Sequence, residues 1–241
     1  MNIDNDIERR IDEYLTFSER YPHLFKNDAV PSSLKIILER NLLLEKQESF
    51  YHNASCAGRP FHWYDLGIVA EDAWVVILRD LVLFPEGNYG GYVRKLNRAS
   101  EVELKGHDVI ILPIVDDRIL LLKHFRHEDR KLHLEIPRGF GENGLTASDN
   151  AKKELYEELK LVPKKLESIG GLQPDGKLRS QVYFAAYVDN LRDISISNEE
   201  GIDFYECISF ESFKDKIKRG EIDDPYTINS FAYAVLQGII P

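Results

Sequence analysis

Apolar and polar positions alternate in three distinct rhythms along the 241 residues. From residue 3 to about 50 the apolar positions recur at helical spacing. Ile7, Ile11 and Leu15 mark one amphipathic segment. Leu34, Ile37, Leu38, Leu42 and Leu43 mark a second, after the break at Pro31-Ser32-Ser33. The stretch YHNASCAGRPFHWYD reads as loop. From Trp74 the rhythm changes to β-branched and apolar runs: WVVILRDLVLF, then GNYGGYVRKL across a Pro-Glu-Gly-Asn turn, which predicts a hairpin. DVIILPIV and RILLLKHFR flank the turn pair Asp116-Asp117 and predict a second hairpin.

HLEIP is a further short strand, closed by Pro137, and a Gly-rich loop follows it. Helical spacing returns with Ala151, Leu155, Leu159 and Val162, and Thr146 or Ser148 is placed to cap this helix. LESIGGL, SQVYFAAYV and FYECISF predict three more strands, and ESFKDKIKRG and YTINSFAYAVLQ two closing helices. Strands before and after a central helix, without regular βαβ alternation, predict an α+β or sandwich-like fold with a mixed sheet.

The central helix carries Glu154, Glu157 and Glu158 at positions i, i+3 and i+4. Like charges at that spacing repel by a few tenths of a kcal/mol per pair, about 0.2–0.5. A solvated charged face, with Lys152, Lys153 and Lys160 as loose partners, accounts for such a run. So does a site for a hard divalent cation, which takes carboxylate oxygens together with substrate phosphates. The residues around the helix decide between these readings.

The formal net charge of −10 argues against a nucleic-acid or anionic-membrane partner, and there is no basic recognition helix. Cys56 and Cys207 are too few and too far apart for a disulfide framework or a zinc knuckle. They point to reduced thiols in a cytoplasmic protein. MNIDNDIERRIDEYL has no apolar segment of the kind a secretory signal needs, and no run is long enough to span a bilayer.

The stretch from Gly139 to Leu161 resembles the signature of the Nudix hydrolases, G-x5-E-x7-R-E-U-x-E-E-x-G-U, where U is aliphatic. Gly139, Glu154, Leu155, Glu157, Glu158 and Leu161 match it. The early glutamate is replaced by Leu145, the arginine by Lys153 and the late glycine by Lys160. ILLLKHFRHEDRKLHLEIPRG resembles the lead-in to the box in the ADP-ribose pyrophosphatase branch, and IKRGEIDDPYTINSFAYA its C-terminal helix. The resemblance covers residues 70 to 240. It implies a Nudix-type α/β/α sandwich at 101–241, after an N-terminal helical extension (1–55) and a β-rich lead-in (56–100).

The resemblance further implies hydrolysis of a nucleoside diphosphate linked to another moiety, ADP-ribose or a related nucleotide sugar, with Mg²⁺ or Mn²⁺. Glu154, Glu157 and Glu158 would be the metal ligands, and Glu154 also a candidate base. The base lies on a late loop in some members, where Glu199 and Glu200 are the matching residues; an exposed acidic turn is the other reading of that pair. Arg126 would contact substrate or lie over the sheet edge. Arg138 suits phosphate oxygens by its forked geometry. Glu135 would support the site or be a polar residue at a strand edge. Changing Leu145 and Lys153 together removes a loop brace without stranding one charge, and Glu142 could supply a carboxylate from a rearranged loop. A homodimer is expected from the branch. A non-catalytic ligand-binding domain with an altered box is the alternative function.

Overall fold

The structure is a computed structural model that describes residues 3–30, 32–174, 177–192, 194–196 and 201–241. It divides into two compact units, Met1–Glu103 and Leu104–Pro241. Among the described residues no helix is long and apolar enough to cross a membrane.

In the first unit, helix α1 (Ile3–Arg20) is followed by the two-residue strand β1 (Lys35–Ile36) and helix α2 (Arg40–Cys56). Strands β2 (Gly67–Glu71), β3 (Val75–Leu83) and β4 (Tyr89–Asn97) complete it. β4 runs antiparallel along the whole of β3, while β2 and β1 pair with successive stretches of β3. Ile7, Ile11 and Tyr14 of α1 and Leu43 of α2 close on Val76, Leu78, Leu81 and Leu96. The segments read from sequence as a helical extension and a β lead-in therefore share one core.

Two local expectations change. Lys35–Ile36 forms an edge strand where a helix was expected, and α2 continues six residues into YHNASC, which read as loop. Glu39 starts α2 by accepting the N–H groups of Asn41 and Leu42. Further along, buried Ala54 and the Tyr51 hydroxyl, which donates to Asp65 at 2.5 Å, extend it. These are tertiary contacts that local composition does not reveal.

One charge anchors this core. Asp80, on β3 and 1% exposed, accepts Tyr14 Oη at 2.6 Å and Arg94 Nε at 2.5 Å, and Arg94 also donates to the carbonyl of Leu24 at 2.7 Å. Burial and the facing carboxylate push the Tyr14 phenol far above its ordinary range, so it stays a donor.

The second unit starts with β5 (Val109–Val115) and β6 (Arg118–Arg126), joined at Asp116-Asp117, both in the left-handed region. β7 (Lys131–Glu135) and β8 (Arg138–Gly139) lead to helix α3 (Ala147–Leu159). β9 (Lys165–Leu172), β10 (Gln181–Tyr187), β11 (Ile202–Ser209), α4 (Phe210–Lys218) and α5 (Pro225–Leu236) follow. The mixed sheet has the order β11-β6-β5-β10-β9, with β10 parallel to β5. β5 and β6 pair only at Ile114↔Ile119 and Val115↔Arg118, next to their turn. Further out β7 pairs with β6 and β8 with β5, so the segment 131–139 wedges the two strands apart.

Alternation along β5 separates two apolar layers. Val109, Ile111 and Val115 pack with Ala151, Leu155 and Leu159 of α3. Ile110, Leu112 and Ile114 pack with Phe213 of α4 and Ala234 of α5. This is the α/β/α sandwich expected from the sequence. Val162, placed on the α3 stripe by periodicity, is 71% exposed, because the helix ends at Leu159 and buried Leu161 takes its place.

Replacing Asp80 with Ala should destabilise the first unit by about 3 kcal/mol, since Arg94 is then left largely buried without its carboxylate. Urea denaturation of the full chain measures this; a loss under about 1 kcal/mol would show that water restores the missing acceptor.

Candidate active site

The wedge delivers the chain to the site. After β8, the loop 140–146 is held from three sides. Gly141 N–H donates to the buried carboxylate of Asp108 at 2.8 Å. The Asn150 amide, fully buried in the first turn of α3, donates to the carbonyls of Phe140 (2.9 Å) and His107 (3.1 Å). Gly106 and Gly141 pack backbone against backbone: a methyl on Gly141 would sit 2.7 Å from His107 N, and one on Gly106 2.7 Å from Glu142 N. Thr146 caps α3, accepting Asp149 N–H at 3.1 Å.

Gly139 lies directly against Glu154, and any side chain there would overlap the carboxylate. Glycine at this position therefore makes room for a side chain from the helix rather than for a turn.

Glu142, Glu154 and Glu157 form the one carboxylate group of ligating geometry among the described residues, with oxygens all within 4.8 Å of one another. Their chemistry, hard oxygen donors from a rigid helix and a braced loop, fits a divalent cation. The sequence placed Glu154, Glu157 and Glu158 together. The structure brings Glu142 into the group from the loop. Glu158 is buried, with Oε1 facing the backbone N–H of Arg138 at 3.4 Å. Lys153 donates to Glu142 Oε1 at 2.7 Å and to Glu157 Oε2 at 2.6 Å. Burial works to lower the pKa of this ammonium, but the two carboxylates outweigh it and hold the group protonated. The loop is thus braced to the helix by Glu142–Lys153.

The third departure from the signature has a backbone explanation. Lys160 occupies the left-handed region (φ 57°, ψ 23°) at the C-cap of α3, and its N–H donates to the Tyr156 carbonyl at 2.8 Å. This is the conformation for which glycine is favoured at a helix end. The ammonium of Lys160 lies over the Tyr156 ring, 4.9 Å from its centre.

Beside α3 lies an ion network built on Glu135, which is 1% exposed. Arg126 reaches it with both Nε and a terminal nitrogen, Arg138 at 3.4 Å and His124 Nδ1 at 2.8 Å. Burial pushes the Glu135 carboxyl up, but His124 and the two guanidinium groups hold it below its ordinary value. Glu135 is therefore not a water-exposed strand-edge residue; it positions both arginines. Arg138 also donates to Asp224 at 3.0 Å and stacks on Tyr226, 4.6 Å from the ring centre. Asp224 caps α5 through Thr227 N–H at 2.8 Å, and the Thr227 hydroxyl accepts Ile136 N–H at 3.1 Å.

A cavity of about 260 Å³ opens here, with Arg126, Arg138, Glu135, Asp129, His133 and Asp223 in its wall. His133 is hydrogen-bonded to Asp129 at 2.8 Å and Asp223 at 3.2 Å. The larger hollows of the first unit, about 660 Å³ beside α1 and 480 Å³ at the β3–β4 turn, hold no ligating cluster among the described residues. Glu199 and Glu200, the late-loop residues expected as a base, lie outside the described residues.

Comparison with known proteins follows the same lines. Residues 105–231, just over half the chain, match the family model of the NUDIX domain. The chain belongs to the Nudix family. Its domain supports the activity of a Nudix pyrophosphatase. A solved structure titled "Crystal structure of ADP compounds hydrolase" superposes on it with a TM-score of 0.59 at 16% identity, over 71% of this chain and 91% of that one. At that identity the likeness concerns the fold. No curated protein matches the sequence.

The residues that hold the loop and the ion network and that the sequence did not single out are Asn150, Asp108, Asp224 and His124. Asn150 gave no signal, because the positions on its own face of the helix are Lys153, Glu154, Glu157 and Glu158 rather than apolar residues.

Two expected outcomes test this description. Lys160→Gly should raise stability by roughly 0.5–1 kcal/mol, because it removes left-handed strain at the C-cap; thermal unfolding reads it, and a loss would show that the Tyr156 contact matters more. The second concerns pH. Asp223 foremost, then Asp129, raises the His133 pKa above its ordinary value despite partial burial. Its contribution to stability is therefore complete below the unfolded value of about 6.5 and is lost as pH rises through the folded one. The difference in Tm between wild type and His133→Gln should be largest at about pH 5.5–6.5 and close in mildly alkaline solution. A pH-independent difference would mean that His133 does not titrate in this clasp.

Proposed function

We propose that this Nudix chain hydrolyses a nucleoside diphosphate linked to another moiety, ADP-ribose or a related nucleotide sugar, and releases a nucleoside monophosphate. The observation that supports this most directly is the carboxylate group of Glu142, Glu154 and Glu157 on a braced loop and helix, beside a cavity walled by two positioned arginines. Mg²⁺ or Mn²⁺ bound by these carboxylates would supply charge neutralisation for the diphosphate and acidify the attacking water. Glu158, beneath the loop, would orient that ligand set through the backbone of Arg138.

The protein's own groups carry the remainder. Arg126 and Arg138 are already oriented by Glu135 and Asp224, so little reorganisation is needed when phosphate oxygens arrive. Asp129 and Asp223 on the far wall are acceptors suited to sugar hydroxyl groups. Glu154, held against Gly139, is the candidate base on α3, with Glu199 and Glu200 as late-loop candidates. A homodimer belongs to the same reading; the large exposed side chains of Trp74, Tyr92 and Val93 beside β3 and on β4 favour it.

The test combines a substrate screen with two variants. With Mg²⁺ or Mn²⁺ present, ADP-ribose, other nucleotide sugars, dinucleotides and coenzyme A are assayed for nucleoside monophosphate release. Glu154→Gln and Glu157→Gln should each lower kcat by about 10²-fold or more while the Tm stays within a few degrees, because carboxylate charge rather than volume holds the cation. Near-normal rates in both variants at low metal concentration would overturn the assignment.

A further inference from the structure

Lys153 stands where the Nudix signature has an arginine, and its ammonium is bonded to two of the three carboxylates that form the ligating group. An arginine guanidinium spreads its charge over a planar fork. A lysine ammonium is a compact point charge that can lie where a small cation would lie. Here it bridges Glu142 from the loop and Glu157 from the helix, and so offsets the repulsion among the three glutamates.

We propose that Lys153 is a tethered counter-cation that a divalent ion must displace from Glu142 and Glu157, so that this residue sets how much metal the site requires. The inference rests on the metal-centre reading above. It follows from charge and distance. Two of the carboxylates already share a bound positive charge, and that charge stays on a side chain anchored within the same helix. An incoming ion meets a carboxylate group partly neutralised and a neighbouring cation that repels it.

Removing the charge has a definite direction on each side of the equilibrium. The metal-free protein loses two ion pairs and gains glutamate repulsion, so it becomes less stable. The metal-bound protein loses a repulsion and becomes relatively more stable. A lysine that served only to position Glu142 would give the opposite sign for affinity.

The experiment measures Mn²⁺ binding to the full chain by electron paramagnetic resonance, alongside thermal unfolding with and without Mn²⁺. Lys153→Met and Lys153→Gln remove the charge, and Lys153→Arg retains it. Both neutral variants should bind Mn²⁺ roughly tenfold more tightly than wild type. They should also melt lower without metal and show a larger rise in Tm on adding it. The arginine variant should fall between wild type and the neutral variants, since its charge remains but is spread over a planar fork. Unchanged or weaker Mn²⁺ binding in the neutral variants, or tightening in the arginine variant as large as theirs, overturns the inference and leaves the metal centre standing. Absence of Mn²⁺ binding by wild type and all variants overturns the metal-centre reading and the inference with it.

Discussion

The second unit depends on one buried carboxylate. Glu135 sits at the end of β7 with almost no exposure, beneath Arg126 of β6, Arg138 of β8 and His124 of β6. Without that negative charge, two guanidinium groups would converge on a partly desolvated wall. With it, they become a fixed pair of donors. Arg138 extends the same network outward: its side chain reaches Asp224 at the start of α5, and its N–H faces Glu158 of α3. One anion thus ties both helical layers to the strands between them. It also explains why β5 and β6 diverge, since the wedge that separates them carries Glu135 and Arg138.

The altered Nudix box shows that a structural constraint can survive a change of residue. A brace between loop and helix persists through Glu142 and Lys153, and Leu145 takes no part in that ion pair. A left-handed turn after α3 persists through Lys160, at an energetic cost that glycine would not incur. A side chain at Gly139 would displace the Glu154 carboxylate, whereas one at Gly106 or Gly141 would meet backbone atoms that cannot move aside alone. The glycines packed against other groups are constrained by volume; the position that turns the chain after α3 is constrained only by torsional strain.

The first unit obeys a similar rule with different chemistry. Asp80 satisfies Tyr14 and Arg94 in a core formed from two helices and a four-stranded sheet. Nothing in its sequence advertises a site, and its larger hollows lack a group of ligating side chains among the described residues.

The sequence by itself determined the hairpins, the central helix, its three glutamates and the two closing helices. These follow from periodicity, turn chemistry and the box spacing, all of which act over a few residues. It also carried the family, because Gly139, Glu154, Glu157 and Glu158 keep their spacing. Only the tertiary structure decided the length of α2 and the edge strand at Lys35–Ile36, since each depends on distant contacts, and Val162 leaves the core because α3 ends at Leu159. It alone chose Glu142 as the third carboxylate. Lys153 lies eleven positions beyond Glu142, and the loop path that joins them is set by Asp108, Asn150, Gly106 and the loop's own Gly141. Local spacing can announce which residues a helix presents; which of them meet a loop is settled by what holds the loop.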